Sequence, residues 1–179
     1  MLYAFGFERV GVFVSDLYFV NPRPAKGQEG AERGVRVEVR ALVRQPLKGS
    51  IYSAQPITVD QPIWRVDLLE AVDSAPGSLD RAHHHPAFDG WEPGERLFVP
   101  ELSAAPVEWL ARELSDLEAV LARAGAPSDT AGPGDAAVLR KTVPEILDVV
   151  RRLLDRVAAG ELGRPDDDRE LTSARIGWL

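Results

Sequence analysis

The sequence contains no cysteine. This absence excludes disulfide bonds, thiol nucleophiles and cysteine-ligated zinc or iron–sulfur centres. The sequence also lacks any run approaching the roughly 18 apolar residues of a membrane-spanning helix. Its first residues show neither the charged nor the apolar region of a secretory signal. We therefore expect a cytoplasmic protein with no membrane partner.

Basic residues are few relative to acidic ones. Lysine and arginine number 21 against 28 aspartates and glutamates, which gives a net charge of −7. Binding to a phosphate backbone requires dense lysine and arginine. The one local stripe, Arg36, Arg40 and Arg44, is interrupted by Glu38. We therefore expect no nucleic-acid partner.

The first hundred residues have the patterns of β-strands. Residues 9–20 are apolar on both alternating sets, and residues 34–44 alternate valine or alanine with arginine, glutamate or leucine. The second pattern predicts one face in the core and one face in water. Residues 51–59 and 62–69 are also strand-like, although their prolines indicate an edge or a bulge. On the second of these, Arg65 and Asp67 are candidate site residues, but a cross-strand ion pair at the sheet surface is the favoured interpretation.

The remaining residues change to a helical period. Apolar residues recur at helical spacing over 107–121 and again over 143–157. Ser103 and Pro106 suit the start of the first helix, and Gly125 suits its end. Thr142 and Glu145 form a capping box at the start of the second helix. Two successive amphipathic helices predict a hairpin whose apolar face covers the sheet.

These patterns predict a single α+β domain over residues 1–179. Residues 1–100 form an antiparallel sheet and carry a histidine loop. A strongly curved, barrel-like sheet is the alternative arrangement of these strands. Residues 101–179 form the helical hairpin and a C-terminal tail. A parallel doubly wound sheet is disfavoured because no helices separate the strands. The apolar end of the tail, Trp178 and Leu179, is predicted to dock on the body or on a second subunit, which makes a homodimer one predicted arrangement.

All three histidines lie in one run, His83–His85, between the strand-rich and helical halves. Pro86 favours an extended backbone before it, so His83 and His85 are expected on one face and His84 on the other. Neutral imidazole is a common ligand of zinc, copper, iron and nickel. The nearby carboxylates that would complete a two-histidine, one-carboxylate metal site are Asp80, Asp89 and Glu92.

The spacing of Gly77, His83 and His85 resembles the opening of the first cupin motif. In cupins a glutamate follows three or four residues later, and a second motif supplies another histidine. Here the first glutamate after the histidines is Glu92, and no histidine follows His85. The resemblance therefore does not place the chain in that family.

Two functional hypotheses follow. The first is a module that binds a small ligand or a partner protein at the sheet and the His83–His85 loop, where the histidines join loop to sheet and Phe88 and Trp91 close the core edge. The alternative is an enzyme that depends on a divalent metal ion to activate water or polarise a carbonyl. In a metal-free variant one histidine is a general base oriented by Asp80 or Asp89. The catalytic candidates are His83, His85, Asp89 and Glu92.

Overall fold

The computed structural model describes residues 1–21 and 23–165. Five antiparallel strands form one sheet in chain order, which confirms the predicted α+β class. The sheet is open, since its first and last strands are its two edges. The predicted docking of Trp178 and Leu179 concerns residues outside the described range. The strands are β1 Leu2–Gly6, β2 Val10–Val20, β3 Ala31–Arg44, β4 Ile57–Ala71 and β5 His83–His85.

One face of the sheet is built from rows of alternating apolar residues. Val12 of β2 pairs with Val39 of β3, which pairs with Trp64 of β4. All three are fully buried. Val14 and Val35, in the neighbouring rows, are also fully buried, together with the core residues that pair with them. Fully burying one such side chain stabilises the fold by about 1.5–3 kcal/mol. The alternation that predicts strands therefore also builds the core.

In the part of the chain that the structure describes, four helices cover this apolar face. The first predicted helix, over 107–121, is divided at Asp116, which departs from helical geometry, and a separate short helix precedes it. Ser103 lies inside that short helix and does not start the predicted one. The Asp116 side chain then caps the next helix by accepting from the Ala119 N–H at 3.1 Å. Among the described residues no helix combines the length and apolar character needed to cross a membrane. The helices are α1 Pro100–Ala104, α2 Pro106–Ser115, α3 Leu117–Arg123 and α4 Asp135–Ala158.

Helix α4 begins earlier than its sequence pattern indicates. The predicted capping box at Thr142 is wrong, because Thr142 lies inside the helix and its hydroxyl donates to the Val138 carbonyl at 2.9 Å. The helix begins at Asp135, which is 1% exposed. Its carboxylate accepts the N–H groups of Glu8 at 2.7 Å and Arg9 at 3.0 Å. This long-range contact fixes the start of α4 against the turn between β1 and β2.

Strand β4 is longer than predicted. Residues 57–71 form one continuous strand, with an irregular register opposite Arg40, where Pro62 lies. The residues before it do not join the sheet, since Ile51 and Tyr52 are 83% and 94% exposed. Pro62 lacks an N–H donor, so the strand pairing is irregular at this position. The strand nevertheless continues past it.

The second face of the sheet is not the solvent-exposed face predicted for β3. Glu32 and Glu38 are only 1% and 7% exposed. The segment 87–98, which includes the hairpin β6 Phe88–Asp89 and β7 Glu92–Pro93, lies against this face. Within it, Arg96 pairs with Glu32 at 3.2 Å, and Trp91 lies 5.2 Å from the Arg40 guanidinium. The polar residues of this face are therefore buried under a loop.

Candidate metal centre

The histidine run forms the edge strand β5, which pairs with β4. His83 lies opposite Asp67 and His85 lies opposite Arg65. Since side chains alternate along a strand, His83 and His85 share the polar face with these two residues. His84 points to the core face, where its ring lies 5.1 Å from that of Trp109. The predicted sharing of a face by His83 and His85 is therefore confirmed.

The two histidines of the polar face converge on one carboxylate oxygen. Nε2 of His83 lies 3.5 Å from Oδ2 of Asp67, and Nε2 of His85 lies 3.9 Å from the same oxygen. One ligand atom from each residue lies within 4.8 Å of the others. The three side chains are 0–4% exposed. Together they form a buried group with two nitrogens and one oxygen.

The carboxylates singled out in the sequence lie elsewhere. Asp80 accepts from the Ser78 hydroxyl at 2.9 Å and from the Ala71 N–H at 3.1 Å, so it closes the turn after β4. Asp89 and Glu92 face each other across the β6–β7 hairpin and are exposed. The metal-binding and catalytic roles suggested by the sequence for Asp80, Asp89 and Glu92 remain predictions. The alternation of β4 places Asp67 on the polar face, but only the pairing of β5 with β4 brings it to the histidines.

Backbone carbonyls fix the tautomer of both histidines. Nδ1 of His83 lies 2.8 Å from the Arg81 carbonyl, and Nδ1 of His85 lies 2.8 Å from the Gly94 carbonyl. A carbonyl only accepts, so we assign the hydrogen to Nδ1 in each ring. In the neutral imidazole the other nitrogen, Nε2, then carries a bare lone pair. Both lone pairs lie beside the Asp67 carboxylate.

The three side chains of the centre bring together three acceptors and no donor, because the nearby Arg36 donates to the Asp67 oxygens and to neither Nε2. Nε2 of His83 is buried and has no hydrogen-bond partner within residues 1–21 and 23–165. Leaving a buried polar atom unpaired costs about 1–3 kcal/mol. A cation between the acceptors would remove that cost. An ion about 2.0–2.2 Å from each ligand at tetrahedral angles holds its ligand atoms roughly 3.3–3.6 Å apart, close to the observed 3.5 and 3.9 Å.

The carboxylate of Asp67 is held in its ionised form. Burial opposes ionisation, but the charges of Arg36 and Arg65 hold the pKa of Asp67 well below its ordinary value. Arg36 contributes two hydrogen bonds, from Nε to Oδ1 at 2.7 Å and from Nη2 to Oδ2 at 3.2 Å. Such a partner also orients a ligating carboxylate. Asp67 is thus a fixed anionic ligand.

His85 is held in its neutral form. Burial, and then the positive charge of Arg65, lower its pKa to about 4. The hydrogen bond to the Gly94 carbonyl and the charge of Asp67 act in the opposite direction but are outweighed. A metal requires a neutral imidazole and an ionised carboxylate. Near pH 7, His85 and Asp67 are already in those forms.

We expect the metal-free protein to lose stability as the pH falls from 6.5 towards 4. The pKa of His85 is about 4 in the folded chain, against an ordinary value of 6.5. The unfolded chain therefore binds the proton first, and the free energy of unfolding should fall by roughly 2–3 kcal/mol across this window. Urea denaturation in EDTA at pH 7, 6, 5 and 4.5 measures this change.

The control for the pH experiment is the variant H85Q, in which the dependence should flatten. A smaller slope should remain, because burial also lowers the pKa of His84. Equal stability of the parent protein at pH 7 and pH 5 would show that His85 accepts a proton in the folded state without cost.

Comparison with known proteins adds no functional assignment. No protein-family model matches the chain, and neither the curated proteins nor the solved structures yield a match. Function is therefore inferred from the side-chain geometry of this centre.

Proposed function

We propose that the protein binds one divalent transition-metal ion through Asp67, His83 and His85, and that this centre is its functional site. The observation that carries the proposal is the convergence of two Nε2 lone pairs on a carboxylate oxygen, with both Nδ1 atoms committed to backbone carbonyls. Imidazole and carboxylate together suit zinc and iron, and imidazole also suits nickel. Zinc is the first ion to test because its preferred distances are close to the two spacings between Oδ2 of Asp67 and the imidazole nitrogens.

Three protein ligands leave at least one coordination position for another molecule. Such a position distinguishes catalytic from structural zinc sites, which have four protein ligands. An ion of this kind activates water or polarises a carbonyl when it is bound. The hypothesis of a metal-dependent enzyme is therefore retained, with Asp67 as the carboxylate ligand.

The expected result is one zinc ion per chain in protein prepared without a polyhistidine tag. The double variant H83Q/H85Q should bind no stoichiometric zinc, because it removes both nitrogen ligands. Inductively coupled plasma mass spectrometry after equilibration with zinc and gel filtration measures the ratio. The matched control is H84Q, which changes the histidine on the core face and should retain the ion.

Two results would contradict this proposal. One is a parent protein that binds no zinc, iron, nickel or manganese. The other is a double variant that still binds one ion. If the histidines are only structural, the double variant should instead lose about 1–3 kcal/mol of unfolding free energy through unmade hydrogen bonds.

A second candidate is a metal-free module that binds a small ligand on the same polar face. The observation that favours it is an excess of positive charge in an otherwise acidic protein. Four arginines and three carboxylates form the ion pairs of this face and of the loop that covers it. For this candidate, zinc-free protein would have to bind the ligand. The arginines are Arg36, Arg40, Arg65 and Arg96, and the carboxylates are Glu32, Glu38 and Asp67.

A further inference from the structure

Arg65 lies beside the proposed metal centre with an unused hydrogen-bond donor. Its Nε is buried and has no hydrogen-bond partner in the part of the chain that the structure describes. That atom lies 3.2 Å from Oδ2 of Asp67, but without the alignment of a hydrogen bond. Its Nη1 is 3.9 Å from Glu38. A guanidinium remains charged in proteins, so this donor calls for an acceptor that the neighbouring side chains do not supply.

The charges around the centre point to the kind of acceptor. Arg36, Arg40 and Arg65 already outnumber Glu38 and Asp67, the carboxylates with which they pair. A divalent ion at the centre would add two more positive charges in a region shielded from water. Buried charge is tolerated only when it is paired. The loaded centre therefore needs an anionic ligand.

We propose that the ligand of the metal centre is a small carboxylate bound between the ion and the Arg65 guanidinium. This inference rests on the proposed function. An ion about 2 Å from Oδ2 of Asp67 would lie close to Nε of Arg65, which is 3.2 Å from the same oxygen. The proposal places one ligand oxygen in the open coordination position and the carboxylate against the guanidinium, whose fork matches a planar carboxylate.

The surroundings limit the ligand to a small one. The ring of Phe88 lies 5.4 Å from the Arg65 guanidinium and 6.2 Å from the ring of His85. The side chain of Arg65 is 13% exposed, whereas that of His85 is 4% exposed. Arg65 is therefore the more accessible of the two, and the proposed approach of the ligand is along its guanidinium beside Phe88. Formate and acetate are suitable probes, and inorganic phosphate tests whether a bulkier oxyanion is accepted.

The test uses protein loaded with Co²⁺, whose visible absorption reports on the ligands of the ion. In the parent protein, formate should change the spectrum to saturation, and phosphate should act more weakly. The variant R65M keeps an apolar stem against Phe88 but lacks the charge, so its dissociation constant for formate should rise at least tenfold. R65K should fall between the two. R152M, which changes an arginine beside Tyr3 on the other face of the sheet, should behave as the parent.

The possible failures are distinguishable. If Co²⁺ binds but no anion changes the spectrum, or if R65M and R65K bind formate as tightly as the parent, the anion inference is overturned while the metal centre stands. Phosphate that binds more tightly than formate would overturn the assignment of a small carboxylate. Metal-free protein that binds formate equally well by calorimetry would overturn bridging by the ion. Absence of Co²⁺ binding, together with absence of bound zinc, iron, nickel and manganese, would overturn both proposals.

Discussion

Replacement of Asp67 by asparagine should lower the free energy of unfolding by roughly 3–5 kcal/mol. Asp67 is 1% exposed and pairs with Arg36 at 2.7 Å and Arg65 at 3.2 Å. An amide of the same size keeps the packing but removes the charge. Two guanidinium groups would then stay in a buried site without this counter-charge. The cost arises from those remaining charges and not from lost contact area.

Urea denaturation at pH 7 in EDTA measures this effect without a contribution from bound metal. The control is D148N, because Asp148 is 72% exposed and pairs with Arg151 in α4. That variant should change stability by less than about 1 kcal/mol. A third variant, R36M/D67L, removes both members of the ion pair. It should lower the free energy of unfolding by less than D67N alone. A loss below about 1 kcal/mol in D67N would show that Glu38 alone balances both arginines.

The elements that could be predicted from the sequence are those with a local signal. Val35, Val37 and Val39 alternate with charged residues, and this period exists only in a strand with two different faces. The helical stripe that contains Leu110 and Leu114 is equally local. Both patterns also identify the core, because the apolar set of each element lies in it. Fold class follows from such signals.

The candidate site could be predicted only in part, because half of it depends on strand pairing. His83 and His85 are neighbours in the chain, so their shared face follows from the alternation of an extended strand. Asp67 is 16 residues before His83 and meets it through the register of β4 and β5. Shifting a register by one residue would move Asp67 to the other face. Proximity in sequence instead favoured Asp80, Asp89 and Glu92.

The burial of the polar face could not be predicted from the sequence for a similar reason. An arginine and glutamate alternation is most often a solvated surface, and nothing within residues 34–44 distinguishes it from a covered one. The cover is the segment 87–98, which carries its own ion-pair and aromatic partners for that face, such as Arg96 for Glu32 and Phe88 for Arg65. Recognising those partners requires the three-dimensional path of the loop.

Leu114→Asp should unfold the domain. Leu114 is 1% exposed in α2, which packs against α4. An aspartate there would place an unpaired charge in the core and remove the leucine contacts. The combined cost is expected to exceed about 4 kcal/mol, a large part of the 5–15 kcal/mol that stabilises an ordinary domain. Circular dichroism during heating and gel filtration at 25 °C report the loss.

Two aspartate variants on α4 serve as controls for Leu114→Asp. Val138 is 49% exposed near the start of α4, so Val138→Asp should leave the melting temperature within a few degrees of that of the parent. Leu154 is half-buried on the same helix, so Leu154→Asp should have an intermediate effect. The expected losses of stability at the three positions thus rank by burial and not by helix propensity, since each position receives the same residue. A Leu114→Asp protein that melts with the parent would show that α2 and α4 do not enclose the core of this domain.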